Sequence, residues 1–237
     1  TTSENRLLFK NTTVMKDLVE VMLLETLDLD DEKVLGKTLN CLINFANEAY
    51  WIERLAEEGI ARKVFAVLKT KVKPDTKEEV APIKLMETAP VTYEVEREGG
   101  TIQSCFMLLA NLSATEEGQK HLLGSDKSTG LILSNLIGMF AYFSKNTAFD
   151  FVANILSNIT NLKEGRKYII EHKSLDSIMK LLMLGPSVEE SEKLMSAHRR
   201  KHLLATLRNI MFEYEHYEKD SQQMKILDAI ISLLVRE

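Results

Sequence analysis

The chain has 237 residues, of which 45% are hydrophobic, 27% charged and 7% aromatic, with only 10 Gly and 4 Pro. So few turn residues exclude a β-sandwich or barrel, and the apolar content excludes a disordered chain. The net charge of −5 argues against nucleic-acid binding, and the apolar run at 230–235 is too short to span a bilayer. The composition predicts an all-α protein. Two cysteines, Cys41 and Cys105, within apolar stretches are typical of a soluble, intracellular, reduced protein.

The predicted helices follow one another in sets of three. Short first helices are expected at 49–57, 117–123 and 164–171. Second helices with an apolar stripe begin at Val14, Ile60, Leu131 and Leu175. The third helix of each set ends in a stretch that superposes on the others when aligned on one asparagine: Asn44, Asn111, Asn158 or Asn209.

These asparagines are spaced 67, 47 and 51 residues apart. Armadillo and HEAT repeats run at about 40–47 residues, so the first interval requires an insertion. The segment 71–100 holds three of the four prolines and ends in two glycines, which predicts a loop excursion there.

Three helices per unit favour armadillo over HEAT repeats. We therefore expect a single armadillo-type domain over 1–237, a right-handed superhelical solenoid of about four repeats. Their predicted bounds are 3–46, 47–113 with the inserted loop 71–100, 114–160, and 161–212, followed by a partial unit at 213–237.

The repeated asparagine has two possible roles. In armadillo superhelices the third helices line the concave groove, where a ladder of amides suits an extended peptide backbone. Alternatively, each asparagine ties down the adjoining turn between repeats. Nuclear-import receptors place Trp four residues before this Asn, whereas here those positions hold Asn40, Met107, Asn154 and Ala205. The missing tryptophans disfavour binding of a nuclear-localisation peptide.

The strongest charge feature is the stretch 196–209, SAHRRKHLLATLRN, which lies between acidic segments. Arg200, Lys201 and Arg208 within it are candidates to bind an acidic protein segment in the groove. The alternative is a solvated helix face paired with its acidic neighbours.

The stretches 151–172 and 199–218 resemble the armadillo-repeat family of HGH homologues. The family's Arg-Arg pair, its run of a small hydroxyl residue followed by Leu-Arg-Asn, and its His-bearing acidic stretch correspond here to Arg199-Arg200, 206–209 and Glu215-His216. This resemblance implies a cytosolic chaperone that binds translation elongation factor 2 as its client and works with the cytosolic chaperonin. It makes Arg200, Arg208 and Asn209 candidates for the client-binding surface.

No catalytic or metal-binding motif accompanies these features. His198 and His202 lie one helical turn apart, but no third ligand stands at metalloprotease spacing and the neighbouring cations would repel a metal. We therefore expect a non-enzymatic protein without cofactor, metal, nucleic-acid or membrane partner. Its expected location is the cytoplasm, with the nucleus left open. The alternative is a generic armadillo scaffold or import-type adaptor that binds an acidic or extended peptide.

Overall fold

The structure is a computed structural model, and it describes most of the region between Glu32 and Glu213. The described residues are 9, 13–14, 16–17, 19–20, 32–74, 93–95, 99–124, 129–143, 146–172, 174–183 and 190–213. The predicted helix from Val14 is described only in part, with helical residues between 14 and 20. The predicted partial unit 213–237 lies outside the described residues, apart from Glu213.

The described part is mostly helical, which confirms the predicted all-α class in its coarse form. Its helices are α1 (Glu32–Phe45), α2 (Ala49–Glu57), α3 (Ile60–Lys71), α4 (Gly99–Leu112), α5 (Glu116–Leu123), α6 (Leu131–Tyr142), α7 (Phe151–Ile159), α8 (Lys163–Glu171), α9 (Leu175–Met183) and α10 (Glu190–Met211). A 3-10 helix, Thr147–Asp150, precedes α7.

These bounds follow the predicted order of short, second and third helices. The predicted helix at 49–57 is α2 to the residue, and the short helices α5 and α8 each begin one residue earlier than expected. The aligned asparagines lie one residue before the last residue of α1, α4 and α7, and two residues before the last residue of α10. A period of 3.6 residues in the apolar pattern was therefore sufficient to locate the helices.

The predicted loop at 71–100 needs correction at both ends. Lys71 is the last residue of α3, and Gly99 and Gly100 begin α4. Two short strands, β1 (Val72–Pro74) and β2 (Tyr93–Val95), pair antiparallel with Val72 opposite Val95. Pro74 ends its strand, where a missing backbone donor is tolerated. Residues 75–92 lie outside the described part.

The chain divides into two compact units, and the boundary along α6 falls between Ile132 and Leu133. In the first unit α4 packs against α1 and α3, around the buried side chains of Leu39, Leu68 and Phe106. In the second unit α7 packs along α10, and the core includes Phe149 and Leu207. The predicted repeat bounds and the single armadillo domain stay predictions.

Two glycines allow short helices to approach the preceding third helix closely. A Cβ on Gly118 of α5 would overlap the carbonyl oxygen of Leu112, and one on Gly165 of α8 would overlap that of Ile159. Leu112 and Ile159 each follow an aligned asparagine directly. The same backbone-to-backbone contact therefore recurs in both units and requires glycine.

Local capping explains where α5 starts. The Thr115 side chain accepts a hydrogen bond from the Gly118 backbone N–H at 3.2 Å, and Glu116 and Glu117 occupy the first turn. A hydroxyl cap and acidic residues both stabilise the positive end of a helix. Within the described ranges, no helix combines the length and the apolar character that crossing a membrane requires.

Candidate functional site

The basic stretch forms the C-terminal part of α10, where one helix face is buried and the other faces solvent. Leu203, Leu207 and Ile210 are fully buried, and α10 packs along α7. On the opposite face Lys201 and Arg208 are exposed, and Arg200 is half-buried at the edge. The structure therefore places two of the three predicted cations, Lys201 and Arg208, on one accessible surface.

Asn209, by contrast, is buried, and its amide spans from α10 to the end of α7. Its Nδ2 lies 3.2 Å from each of three acceptors: the Ser157 carbonyl oxygen, Thr160 Oγ1 and Asn161 Oδ1. Its own Oδ1 is 3.5 Å from Arg208 Nη2. The amide is thus engaged in holding the turn after α7.

Asn111 makes the equivalent contact in the first unit. Its Nδ2 lies 3.5 Å from both the Ile43 carbonyl oxygen and Asn47 Oδ1, at the end of α1. In both units two of the acceptors stand one residue before and three residues after the preceding aligned asparagine. Asn44 is exposed and Asn158 is half-buried.

Asn47 and Asn161 are partners that the sequence reading missed. Each lies three residues after an aligned asparagine, in the runs NFAN (44–47) and NITN (158–161). Aligning the repeats three residues further would have found them. The stretch after Asn111 carries Ala114 at the same place, which explains why the pattern is easily overlooked.

Two ion pairs with buried carboxylates also bind α10 and its C-terminal turn to the rest of the second unit. Arg199 donates through Nε to Asp150 Oδ1 at 2.6 Å and lies over the Phe140 ring, 5.4 Å from its centroid. Arg166 donates through Nε and Nη2 to Glu213 Oε1 at 2.8 and 2.6 Å. Arg199 is therefore structural rather than part of the accessible basic surface.

Each carboxylate in these pairs keeps one oxygen without a hydrogen-bond partner among the described residues, Asp150 Oδ2 and Glu213 Oε2. Burial raises the pKa of Asp150 to about 6, and the Arg199 guanidinium only partly opposes this effect. Arg166 additionally donates from Nη1 to the carbonyl oxygens of Thr160 and Asn161 at 2.9 and 2.8 Å. The turn after α7 is therefore fixed both by this arginine and by Asn209.

His198 and His202 lie together on α10, with ring centroids 4.4 Å apart. Ser157 Oγ donates to the Asn154 carbonyl and so accepts from His202 Nδ1, at 2.9 Å. Burial, helped by His198 and Lys201, lowers the pKa of His202 to about 4, and burial with Lys201 lowers the pKa of His198. In the part of the chain that the structure describes, no three His, Cys, Asp or Glu residues are grouped to hold a metal ion.

The two cysteines differ in burial, and only Cys105 belongs to the core. Cys105 is fully buried in α4, and burial raises the pKa of its thiol to about 12. Cys41 is half-buried in α1, and both are free thiols. A thiol that stays protonated is a poor nucleophile, so the arrangement of Cys105 suits packing rather than reaction.

A cleft of about 430 Å³ opens in the first unit between α2, α3 and α5. Arg62, Lys120 and His121 line it together with Glu57 and Glu117. Two of these residues engage acidic partners on their own helix, Lys120 with Glu116 at 2.7 Å and His121 with Glu117 at 3.2 Å. None of the residues predicted to bind a client lines this cleft.

Comparison with known proteins places the chain in a family. A family model described as "Domain of unknown function (DUF383)" matches residues 95–236, more than half of the chain. "Protein HGH1 homolog" of Danio rerio is 32% identical over 113 residues, which cover 47% of this chain and 28% of the relative. The matched region thus spans less than a third of that relative, and no solved structure matches the chain. The chain belongs to the DUF383 family of HGH1 homologues, as the stretches 151–172 and 199–218 predicted.

Proposed function

We propose that this protein is a non-catalytic chaperone or adaptor that binds a protein client on the surface formed by its third helices. Elongation factor 2 is the proposed client, and the cytosolic chaperonin is the proposed partner in its folding. The proposal rests on membership of the family of HGH1 homologues together with the geometry of α10. Chaperoning would consist of masking client surface, without nucleotide, metal or other cofactor.

The proposed architecture is an armadillo superhelix. Its support is the recurrence, in each unit, of a short, a second and a third helix, with an asparagine amide joining successive third helices. In such an array each repeat contacts mainly its neighbours and the third helices share one surface. Lys201, Arg208 and the half-buried Arg200 would then lie on the client-binding side.

The exposure of Lys201 and Arg208 is the observation that carries the function. Cations held outward on a helix whose other face is anchored in the core form a stable, positively charged surface. Because Asn111 and Asn209 use their amides to join third helices, client recognition falls chiefly to Lys201 and Arg208. Asn44 and Asn158, the other two aligned asparagines, are proposed to contribute to it. An acidic client segment would complement this surface.

The test is capture of purified elongation factor 2 by the immobilised chain and by the variant Lys201→Glu/Arg208→Glu. The matched control is Lys163→Glu/Lys180→Glu, which makes the same charge change at exposed positions of α8 and α9. We expect the α10 variant to lose most of the captured client and the control to retain it, at unchanged helicity and melting temperature. Capture that is equal for all three proteins, or absent for all three, would refute the proposal.

The alternative function is a generic armadillo scaffold or adaptor for another acidic or extended segment. It rests on the same cations and differs only in the client. A eukaryotic lysate distinguishes the two, because the chaperone proposal requires elongation factor 2 and chaperonin subunits in the eluate of the unmodified chain. The proposed location is the cytoplasm, and neither a nucleic acid nor a membrane is proposed as a partner.

A further inference from the structure

The outward face of α10 carries a regular pattern that its charge alone does not explain. Five residues recur there at alternating intervals of four and three: Ala197, Lys201, Leu204, Arg208 and Met211. Ala197, Lys201 and Arg208 are exposed, and Leu204 and Met211 are half-buried. This is the spacing of the a and d positions of a heptad, the pattern by which one helix packs along another. We name these five residues the outer stripe.

The outer stripe is separate from the face that α10 uses in its own fold. The fully buried residues of this part of the helix lie on the other side, toward α7 and the core: Leu203, Thr206, Leu207 and Ile210. Ala197, Leu204 and Met211 are thus apolar side chains on a side that the second unit does not need for its core. Phe212, just past the helix end, is 67% exposed and extends this apolar character.

The charges specify what could cover the outer stripe. Lys201 and Arg208 are seven residues apart, so they lie about 10.5 Å apart along the helix axis. A second helix that runs alongside α10 presents every seventh side chain at the same spacing. Two carboxylates seven residues apart on that helix would therefore face Lys201 and Arg208. Apolar side chains at the other heptad position would meet Ala197, Leu204 and Met211, which are also seven residues apart. A basic partner would place like charges against both cations.

We propose that the outer stripe of α10 docks an acidic amphipathic helix of a partner protein, with Asp or Glu at one heptad position and aliphatic residues at the other. The inference rests on the proposed function, since it names the form of the client segment that this surface takes. It differs from recognition of an extended backbone, because the contact is made by side chains of one helix against another.

A synthetic 21-residue peptide tests this directly. It carries Glu at the first and Leu at the fourth position of each of three heptads, and Ala or Gln elsewhere, so that its own Glu residues oppose self-pairing. One control peptide has Lys in place of Glu, and another has a central proline that breaks the helix. Binding of each labelled peptide to the full chain is measured by fluorescence anisotropy.

We expect the Glu peptide to bind, and Lys201→Glu/Arg208→Glu to weaken that binding at least about tenfold, as two exposed pairs replaced by repulsion would do. The Lys peptide should bind the variant better than it binds the unmodified chain. Lys163→Glu/Lys180→Glu should bind the Glu peptide as the unmodified chain does. Circular dichroism of each variant is the control for retained folding.

Several outcomes would overturn the inference. These are equal binding of the Glu and Lys peptides, no binding of the Glu peptide, or equal binding of the proline peptide, which would indicate an extended ligand. A dimer in sedimentation that Lys201→Glu/Arg208→Glu dissociates would show instead that the outer stripe pairs with a second copy of the chain. If the chain captures elongation factor 2 but does not bind the Glu peptide, the helix-docking inference fails and the proposed function stands. If the peptide binds and elongation factor 2 does not, only the proposed client fails.

Discussion

A single amide can join two helices that are far apart in the chain, as Asn209 does. Its side chain reaches from α10 to three acceptors at the end of α7, some 48 to 52 residues earlier. Asn111 does the same toward the end of α1. Buried polar groups need hydrogen-bond partners. A residue at position 209 must therefore supply an N–H donor to the acceptors in the turn after α7.

Replacing Asn209 by Ala should lower the free energy of unfolding by about 1–3 kcal/mol, because buried acceptors around the turn after α7 lose their donor. The matched change Asn44→Ala removes the aligned residue at an exposed position and should alter stability by no more than about 0.5 kcal/mol. Urea unfolding followed by circular dichroism measures both. Equal effects of the two substitutions would contradict the structural role of Asn209.

His202 is held neutral in the fold, and this has a consequence for the pH dependence of stability. Its pKa falls from 6.5 to about 4 on burial, so between these values the unfolded chain binds a proton that the folded chain does not. Stability contributed by His202 is therefore present above pH 6.5 and is lost as the pH falls toward 4. Asp150, whose pKa is raised to about 6, acts in the opposite direction over an overlapping range.

The variant His202→Gln isolates the histidine contribution. Relative to the unmodified chain, we expect it to become progressively more stable as the pH falls from 6.5 toward 4, because the penalty for protonating residue 202 is gone. Urea unfolding at several pH values gives the difference in free energy of unfolding between the two proteins. The contribution of Asp150 largely cancels in this difference because both proteins contain it. A difference that does not change with pH would contradict this assignment.

At the scale of the elements, the short helices α5 and α8 meet the preceding third helix almost backbone to backbone. Gly118 and Gly165 stand seven residues after Asn111 and Asn158, and each faces the carbonyl of the residue after that asparagine. The corresponding residue in the first set is the buried Trp51 of α2. The packing of α2 therefore differs from that of α5 and α8 at this contact.

Replacing Gly165 by Ala should destabilise the protein by about 1–3 kcal/mol, since the new methyl group would overlap the backbone of Ile159 and force α8 away from α7. Gly36→Ala is the matched control, because a Cβ at Gly36 meets no atom within 4 Å and lies inside α1. There the substitution should stabilise by about 0.5–1 kcal/mol. Thermal and urea unfolding of the two variants check this; effects of the same sign would contradict it.

At the scale of the whole molecule, the family match runs from residue 95 to 236 and so includes residues of both compact units. The candidate surface on α10 lies within it, and its supporting ion pairs, Arg199 with Asp150 and Arg166 with Glu213, all belong to the second unit. The exposed cations and the arginines of the ion pairs therefore have different surroundings. Arg199 anchors α10, whereas Lys201 and Arg208 face solvent.

The sequence by itself determined the helices, their order in sets of three, and the alignment of the four asparagines. These features are local, because a 3.6-residue apolar period and a capping residue such as Thr115 act over one or two helical turns. It also supplied the family, through residues 151–172 and 199–218. The ends of the insertion were less accurate, because β1 and β2 become strands only by pairing with each other.

Only the tertiary structure showed what two of the aligned asparagines, Asn111 and Asn209, contact. The sequence left open whether the asparagines face a client or tie down turns, and the packing of α10 on α7 and of α4 on α1 brought Asn209 and Asn111 to acceptors dozens of residues away. The same packing distinguishes Arg199 from Lys201, two positions apart on one helix. Arg199 is half-buried and paired with Asp150, whereas Lys201 is exposed. Spacing along a chain gives the phase of a residue on its helix, but burial against a distant element decides whether that side chain serves the core or a partner.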